Sequence, residues 1–441
     1  MAFVRTSFAF LHQHPMLLDR TVAPDYQIIK TIELPEADSY TLENGGLLHV
    51  INIGDQPVVR LEVIFDAGNW YEKYPSSSFF AIKMLTEGTA TRTSAETSEA
   101  FERIGAFTDM THSSDRAGMV VYCLTRFLPE VLGIVTDLVQ HAAFPEKELA
   151  DLKNITLQNL RVNLEKTAYV ATSEFRAAIF GQDHPYGQSQ NEADILSLER
   201  YQVLEHYNSF INKNKYTVIL AGQVSANDVE LVRQSLGQAS LTADVSVVTR
   251  AVSAAYEGKE VLVEKQDSVQ SSIRIGRRMF TRDHADYFKM LVTNEIFGGY
   301  FGSRLMKNIR EEKGLTYGIS SHMVTLSREG YIMIGTDVKK EFTQQTIDEI
   351  KKEMFRLQTE LVSEEELQTV KNFMSGELAG SLNTAFEVAD RQKVLLLEGL
   401  PSDFFSRYVE QIHATTSQDV IAMANKYLRP ETMVEVVVGG K

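Results

Sequence analysis

Two periods of hydrophobicity run through this chain. Apolar and polar residues alternate in "VVRLEVIFDAG" (58–68) and "QSSIRIGRRMF" (270–280), the period of a β-strand with unlike faces. Apolar residues recur every three to four positions in "FLPEVLGIVTDLVQHAAF" (127–144) and "EFTQQTIDEIKKEMFRLQ" (341–358), the period of an amphipathic helix. Helix starts follow both: "FPEKEL", with Pro145 near the first turn, and "SEEEL", with Ser363 as N-cap.

The order of these elements repeats. "FINKNKYTVILAGQ" (210–223) and "YLRPETMVEVVVGG" (427–440) each run from an aromatic through a polar turn and a β-branched strand to a glycine, with Gly222 twelve positions after Phe210 and Gly439 twelve after Tyr427. Upstream, "DRAGMVVYCL" (115–124) and "SREGYIMIGT" (327–336) share Arg-x-Gly before a strand. Two matches in the same order predict a duplicated unit, each half burying its own core. The fold expected is therefore α+β: two related domains, each a mainly antiparallel sheet with helices packed on one face. The small, polar stretch "TADVSVVTRAVSAAYEGKE" (242–260) marks the join. The expected division is an N-terminal tail over 1–30, a first domain over 31–243, a linker over 244–258 and a second domain over 259–441.

Composition narrows the class. A length of 441 residues favours more than one core. A net charge of −15 with no basic cluster argues against nucleic acid as a partner. The lone Cys123 rules out an internal disulfide or a cysteine zinc site and fits a reducing, cytoplasmic setting. No apolar run reaches the roughly 20 residues of a membrane helix. His12, His14 and Pro15 interrupt the apolar start before it makes a signal-peptide core. "HQH" at 12–14 reads as a solvated tail rather than a metal site. "FGGYFGS" (297–303) lacks the spacing of a dinucleotide loop and reads as a tight turn into the helix "SRLMKNIREEKG". Serine-hydrolase elbows, a Walker A loop and His-Glu-x-x-His are all missing.

"NGGLLHVI", "FDAGNWYE", "KMLTEGTATRTSAE", "FERIGA", "FPEKEL", "HPYG", "VILAGQVS", "NEIFGGYFGSRLMKNIREEKGLTYGISS" and "VVVGG" follow one another from about residue 34 to the end. In order and spacing the chain resembles the pitrilysin/insulinase family of zinc peptidases, and within it the branch of the mitochondrial processing peptidase subunits. That resemblance implies two related domains per subunit, and two subunits enclosing a chamber. Active members carry His-x-x-Glu-His on a helix before Met-Leu-x-x-Gly-Thr: two zinc ligands from adjacent turns and a general base between them. With "MLTEGT" setting the register, the first His falls on Phe79, the Glu on Ile82 and the second His on Lys83. The further Glu that completes the site falls on Asn159. Lys83 reads as a lysine reaching solvent at the chamber wall, or else as a partial stand-in for the metal's charge.

The other half keeps a different pair. The family's C-terminal domain supplies an Arg and a Tyr to the substrate, and "REEKGLTY" places them at Arg310 and Tyr317, seven residues apart. A guanidinium and a phenol both donate hydrogen bonds, as an oxyanion requires. The resemblance thus implies a non-catalytic subunit with no catalytic residues in isolation and no bound cofactor. Its partner would be a homologous active subunit holding zinc, and the substrate a peptide or unfolded polypeptide. The competing expectation is a non-proteolytic structural or peptide-binding homodimer of the same fold. A third, less favoured, is a zinc peptidase active alone.

Overall fold

The computed structural model describes Thr21, residues 28–238 and residues 258–441. Both histidines of "HQH" and residues 244–257 of the expected linker lie outside these.

The alternating stretches form two sheets. Strands β1 (Asp38–Thr41), β2 (Leu47–Asn52), β3 (Val58–Phe65), β4 (Phe107–His112), β5 (Ala117–Leu124) and β6 (Tyr216–Gly222) assemble in the order β1-β2-β6-β3-β5-β4. Strands β7 (Glu260–Glu264), β8 (Gln270–Met279), β9 (Thr316–Thr325), β10 (Gly330–Lys339) and β11 (Val434–Gly439) assemble in the order β7-β11-β8-β10-β9. Apart from β1, the two orders are the same. In each sheet the last strand runs parallel to the first of the unit and antiparallel to the second: β6 against β2 and β3, β11 against β7 and β8. The two repeated segments end on equivalent glycines. A side chain on Gly222 would meet the Val58 carbonyl at 2.2 Å, and one on Gly439 the Gln270 carbonyl at 2.6 Å. Both glycines also have positive φ, +127° and +133°.

Helices Leu128–His141 and Thr343–Thr359 lie where their periods place them, each closing the core of its own half. Ser363 caps Glu364–Gly380 by accepting from the Glu366 amide.

The other face of each sheet departs from expectation. Helix Ala385–Glu398, from the second half, lies on β2 and β6, and helix Thr167–Phe180, from the first half, lies on β8 and β11. Each half buries a main core made of its own residues, and the second face of each sheet is covered by the helix from the other half. The alternation in β3 shows why the sequence misleads. Arg60 and Glu62 occupy the polar face yet are buried. They meet charges on the visiting helix: Arg60 to Asp390 at 2.9 Å, and Lys393 to Glu62 at 3.0 Å. In β8, Arg274 donates to Thr172 at 3.1 Å and Ser272 to Thr167 at 2.9 Å. A polar face here is a docking face between halves, since a buried charge must be paired.

The two Arg-x-Gly turns meet at the centre of this joint. Asp115 accepts from Arg328 at 2.6 Å and from the Ser327 amide at 3.3 Å, while Arg116 donates to Ser327 at 3.1 Å. Tyr186 of "HPYG" adds its hydroxyl to Asp115 at 2.8 Å, and Arg328 stacks 4.4 Å from the Trp70 ring. The end of the expected tail and the start of the expected first domain also belong to the joint. Ile29 and Ile32 pack on the second half, and the Ile29 carbonyl faces His413 Nε2 at 3.0 Å. Among the described residues no helix is long and apolar enough to cross a membrane.

Candidate functional site

Helix Ser77–Lys83 forms where expected, but it has no single inner face. Phe80, Ala81 and Ile82 are all fully buried, as are Met84 and Leu85 just beyond. Ile82 belongs to the main apolar core of its half. Phe79, partly buried, packs edge-on against His112, with ring centres 5.6 Å apart. Lys83 does not run out to solvent. Its ammonium donates to the Met110 carbonyl of β4 at 2.5 Å and thereby ties the helix to the strand. Asn159 is exposed on helix Glu146–Glu165. The four positions that would hold and serve a metal therefore carry an aromatic contact, a core isoleucine, a committed ammonium and an outward amide. Among the described residues no group of three His, Cys, Asp or Glu is placed to hold a metal ion. These residues do not fit zinc.

A polar cluster that sequence reasoning missed lies beside Phe79. Ser78, fully buried, donates its hydroxyl to Glu72 at 2.5 Å and its amide to the same carboxylate oxygen at 2.9 Å. His112 Nε2 lies 2.7 Å from the Ser78 hydroxyl. With that proton given to Glu72, the imidazole is the donor, as a neutral ring protonated on Nε2. Burial and the nearby Lys83 charge push His112 down to about 4, which keeps it neutral. The order carboxylate, serine, imidazole is wrong for a nucleophile, because no base faces a free hydroxyl. The cluster instead caps the start of the helix. No spacing in the sequence joins Glu72, Ser78 and His112, and only the fold does so. A cavity of about 830 Å³ opens beside them, with Tyr169, Thr172 and Arg176 on its far wall.

The second pair is built differently. Arg310 lies in the widened helical segment Met306–Glu312, and Tyr317 is the second residue of β9. The structure brings them together: Arg310 Nε donates to the Tyr317 carbonyl at 3.0 Å. The guanidinium stacks 4.8 Å from the ring of Phe301, and Nη1 stands 3.9 Å from Glu311. The Tyr317 side chain is 97% exposed, and Phe301 is 65% exposed. Tyr317 stands at the mouth of a cavity of about 670 Å³ floored by the open face of β9 and β10. Thr172 lines both cavities, so the helix the first half lends to the second separates the two sites.

The fold defines a two-domain, peptidase-like α+β protein with no His-x-x-Glu-His in its sequence and with Arg310 beside an exposed Tyr317. Residues 50–191 match Insulinase (Peptidase family M16), and residues 197–374 match Peptidase M16 inactive domain. The chain belongs to peptidase family M16, and its sequence holds no His-x-x-Glu-His. It is 22% identical over 349 residues to YmxG, an uncharacterized zinc protease of Bacillus subtilis, covering 78% of this chain and 84% of that one. It is 24% identical over 403 residues to an uncharacterized zinc protease of Rickettsia felis, covering 90% and 96%. A probable inactive metalloprotease of Bacillus subtilis, YmfF, is 22% identical over 236 residues, covering 53% and 54%. The fold matches a peptidase M16 inactive domain from Pseudomonas fluorescens with a TM-score of 0.83 at 22% identity, covering 92% of this chain and 98% of that one. It matches a protease from Helicobacter pylori with a TM-score of 0.84 at 16% identity, covering 92% and 100%.

Proposed function

We propose that this chain is the non-catalytic subunit of a heterodimeric zinc metallopeptidase. Its partner, a homologous subunit with an intact metal site, holds the zinc. This chain closes the chamber and presents Arg310 and Tyr317 to the peptide bound there. The carrying observation is the contrast between the two halves. Where a metal would sit, Ile82 is core, Phe79 packs on His112, Lys83 is tied to the Met110 carbonyl and Asn159 faces outward. Where hydrogen-bond donors would serve another chain, Tyr317 stands 97% exposed with its hydroxyl outward. Arg310 is held by its Nε, which leaves its Nη groups as donors. Two such donors converging on a scissile carbonyl stabilise the charge that develops on its oxygen.

The test is reconstitution. The purified chain is mixed with the intact-motif homologue from the same genome, and cleavage of an unfolded polypeptide is followed. The expected result is activity only in the mixture, with Arg310→Ala lowering kcat by about 10²–10³. Full activity of the homologue alone, or an unaffected Arg310→Ala complex, refutes the reading. A stable homodimer that binds peptide, with no homologue joining it, supports the non-proteolytic alternative instead.

A further inference from the structure

The segment "FGGYFGS" preceding Arg310 is built to hold one aromatic ring outside the core. Gly298 and Gly302 leave no space for a side chain: a Cβ on the first would meet Ser321 at 2.7 Å, and one on the second the Tyr300 ring at 2.7 Å. The turn closes with the Ser303 amide on the Tyr300 carbonyl at 3.1 Å, and Ser303 itself is buried. Phe297, four residues before Phe301, is fully buried. Phe301 therefore points outward from a turn clamped on both sides, and burial of its own surface does not explain it.

The geometry points to Phe301 as the positioning residue of Arg310. The guanidinium carbon stands 4.8 Å from the ring centre, within reach of the ring's negative face. The one hydrogen bond the side chain makes to the backbone, from Nε to the Tyr317 carbonyl, fixes a single edge of the guanidinium and leaves its plane free to rotate. The ring face supplies the second constraint. With Nη1 approaching Glu311 at 3.9 Å, these contacts hold the guanidinium plane beside Tyr317. The inference rests on the proposed role of Arg310 and Tyr317. It adds that a third residue, an aromatic with no donor group of its own, sets the aim of the pair.

Two measurements separate this inference from the role it rests on. In the isolated full-length chain, the Arg310 Nε–Hε signal is identified by its loss in Arg310→Lys. It is expected to be shifted upfield by the ring current, to lose that shift in Phe301→Leu and to keep it in Phe301→Tyr. In the reconstituted complex, Phe301→Leu is expected to lower kcat about two- to five-fold at unchanged KM. Phe301→Tyr is expected to restore it. Phe301 is exposed, so neither variant threatens folding, and circular dichroism checks this. An Arg310 signal indifferent to Phe301→Leu overturns the inference, as does equal activity of the Leu and Tyr variants. If Arg310→Ala is silent in the complex, the role of the pair fails, and the Hε shift still decides whether Phe301 holds the side chain.

Discussion

Restoring the general base to the degenerate helix should unfold the protein rather than arm it. Ile82 has no exposed surface and belongs to the main core of its half. Ile82→Glu forfeits the burial of an isoleucine side chain, about 2–3 kcal/mol. It also places a carboxyl among apolar neighbours, which raises a buried acid by about 3 pKa units or more. From an unfolded value of about 4.3, that puts the folded pKa above about 7. Between these two values the native state binds more protons than the unfolded one, so the variant loses stability as pH rises. At neutral pH the second penalty is about 3–4 kcal/mol. The sum, about 5–7 kcal/mol, matches the whole stability of many proteins. The assay is guanidinium unfolding of wild type, Ile82→Glu and Ile82→Gln at about pH 5 and about pH 8, beside elemental zinc analysis. The Glu variant should fall far below wild type at the higher pH and recover part of the gap at the lower, while the Gln variant shows little pH dependence. A Glu variant with the wild-type midpoint, or zinc bound after Phe79→His and Lys83→His are added, refutes the reasoning.

Three further outcomes are expected. Asp115→Ala removes the shared acceptor of Arg328, Tyr186 and the Ser327 amide and should cost about 3–5 kcal/mol; a loss below about 1 kcal/mol by the same unfolding assay would mean that the joint does not depend on it. Burial holds His206, like His112, at about 4, well below its ordinary value. Stability from these neutral histidines is complete above the unfolded pKa of about 6.5 and is lost as pH falls toward about 4, by up to about 3 kcal/mol each; His206→Gln should remove its share of that acid sensitivity, and an unchanged slope would count against it. Lys83→Ala should cost about 1–2 kcal/mol by stranding the Met110 carbonyl, and leave the activity of the reconstituted complex unchanged; a large activity loss would show that the ammonium acts on substrate.

Much of this was legible in the sequence. The repeated Arg-x-Gly turns and terminal strands foretold two sheets of one order, because strand alternation and turn glycines are local properties. The register set by "MLTEGT" placed Phe79, Ile82 and Lys83 on one short helix, where they are found. The exchange of helices was not legible. Arg60 and Glu62 in a strand read as solvent-facing, and only Asp390 and Lys393, more than three hundred positions away, make them a docking surface. The same holds for Glu72, Ser78 and His112: each is an unremarkable polar residue until the fold sets them within 2.7 Å of one another in sequence along the cluster. Lys83 was misread for a related reason, since a long side chain goes to whichever buried carbonyl lies in reach.

The exchange of helices bears on how this fold holds together with no metal-binding group among the described residues. A metal site needs three or four side chains of fixed chemistry. Holding the halves together here needs other residues: the charges of β3 and the hydroxyl contacts of β8, Asp115 with its three donors, and the apolar faces of the exchanged helices. None of them is a ligand position. An apolar residue in place of a buried carboxylate makes ordinary core of a spot that would otherwise need solvation or a partner charge, as Ile82, at the general-base position of the register, shows with its zero exposure. The Arg/Tyr corner obeys the opposite logic. Tyr317 gains nothing from its own chain by standing 97% exposed, and Phe301 gains little at 65%. Stability alone favours covering both, so their exposure fits the proposed role of this corner toward a second chain.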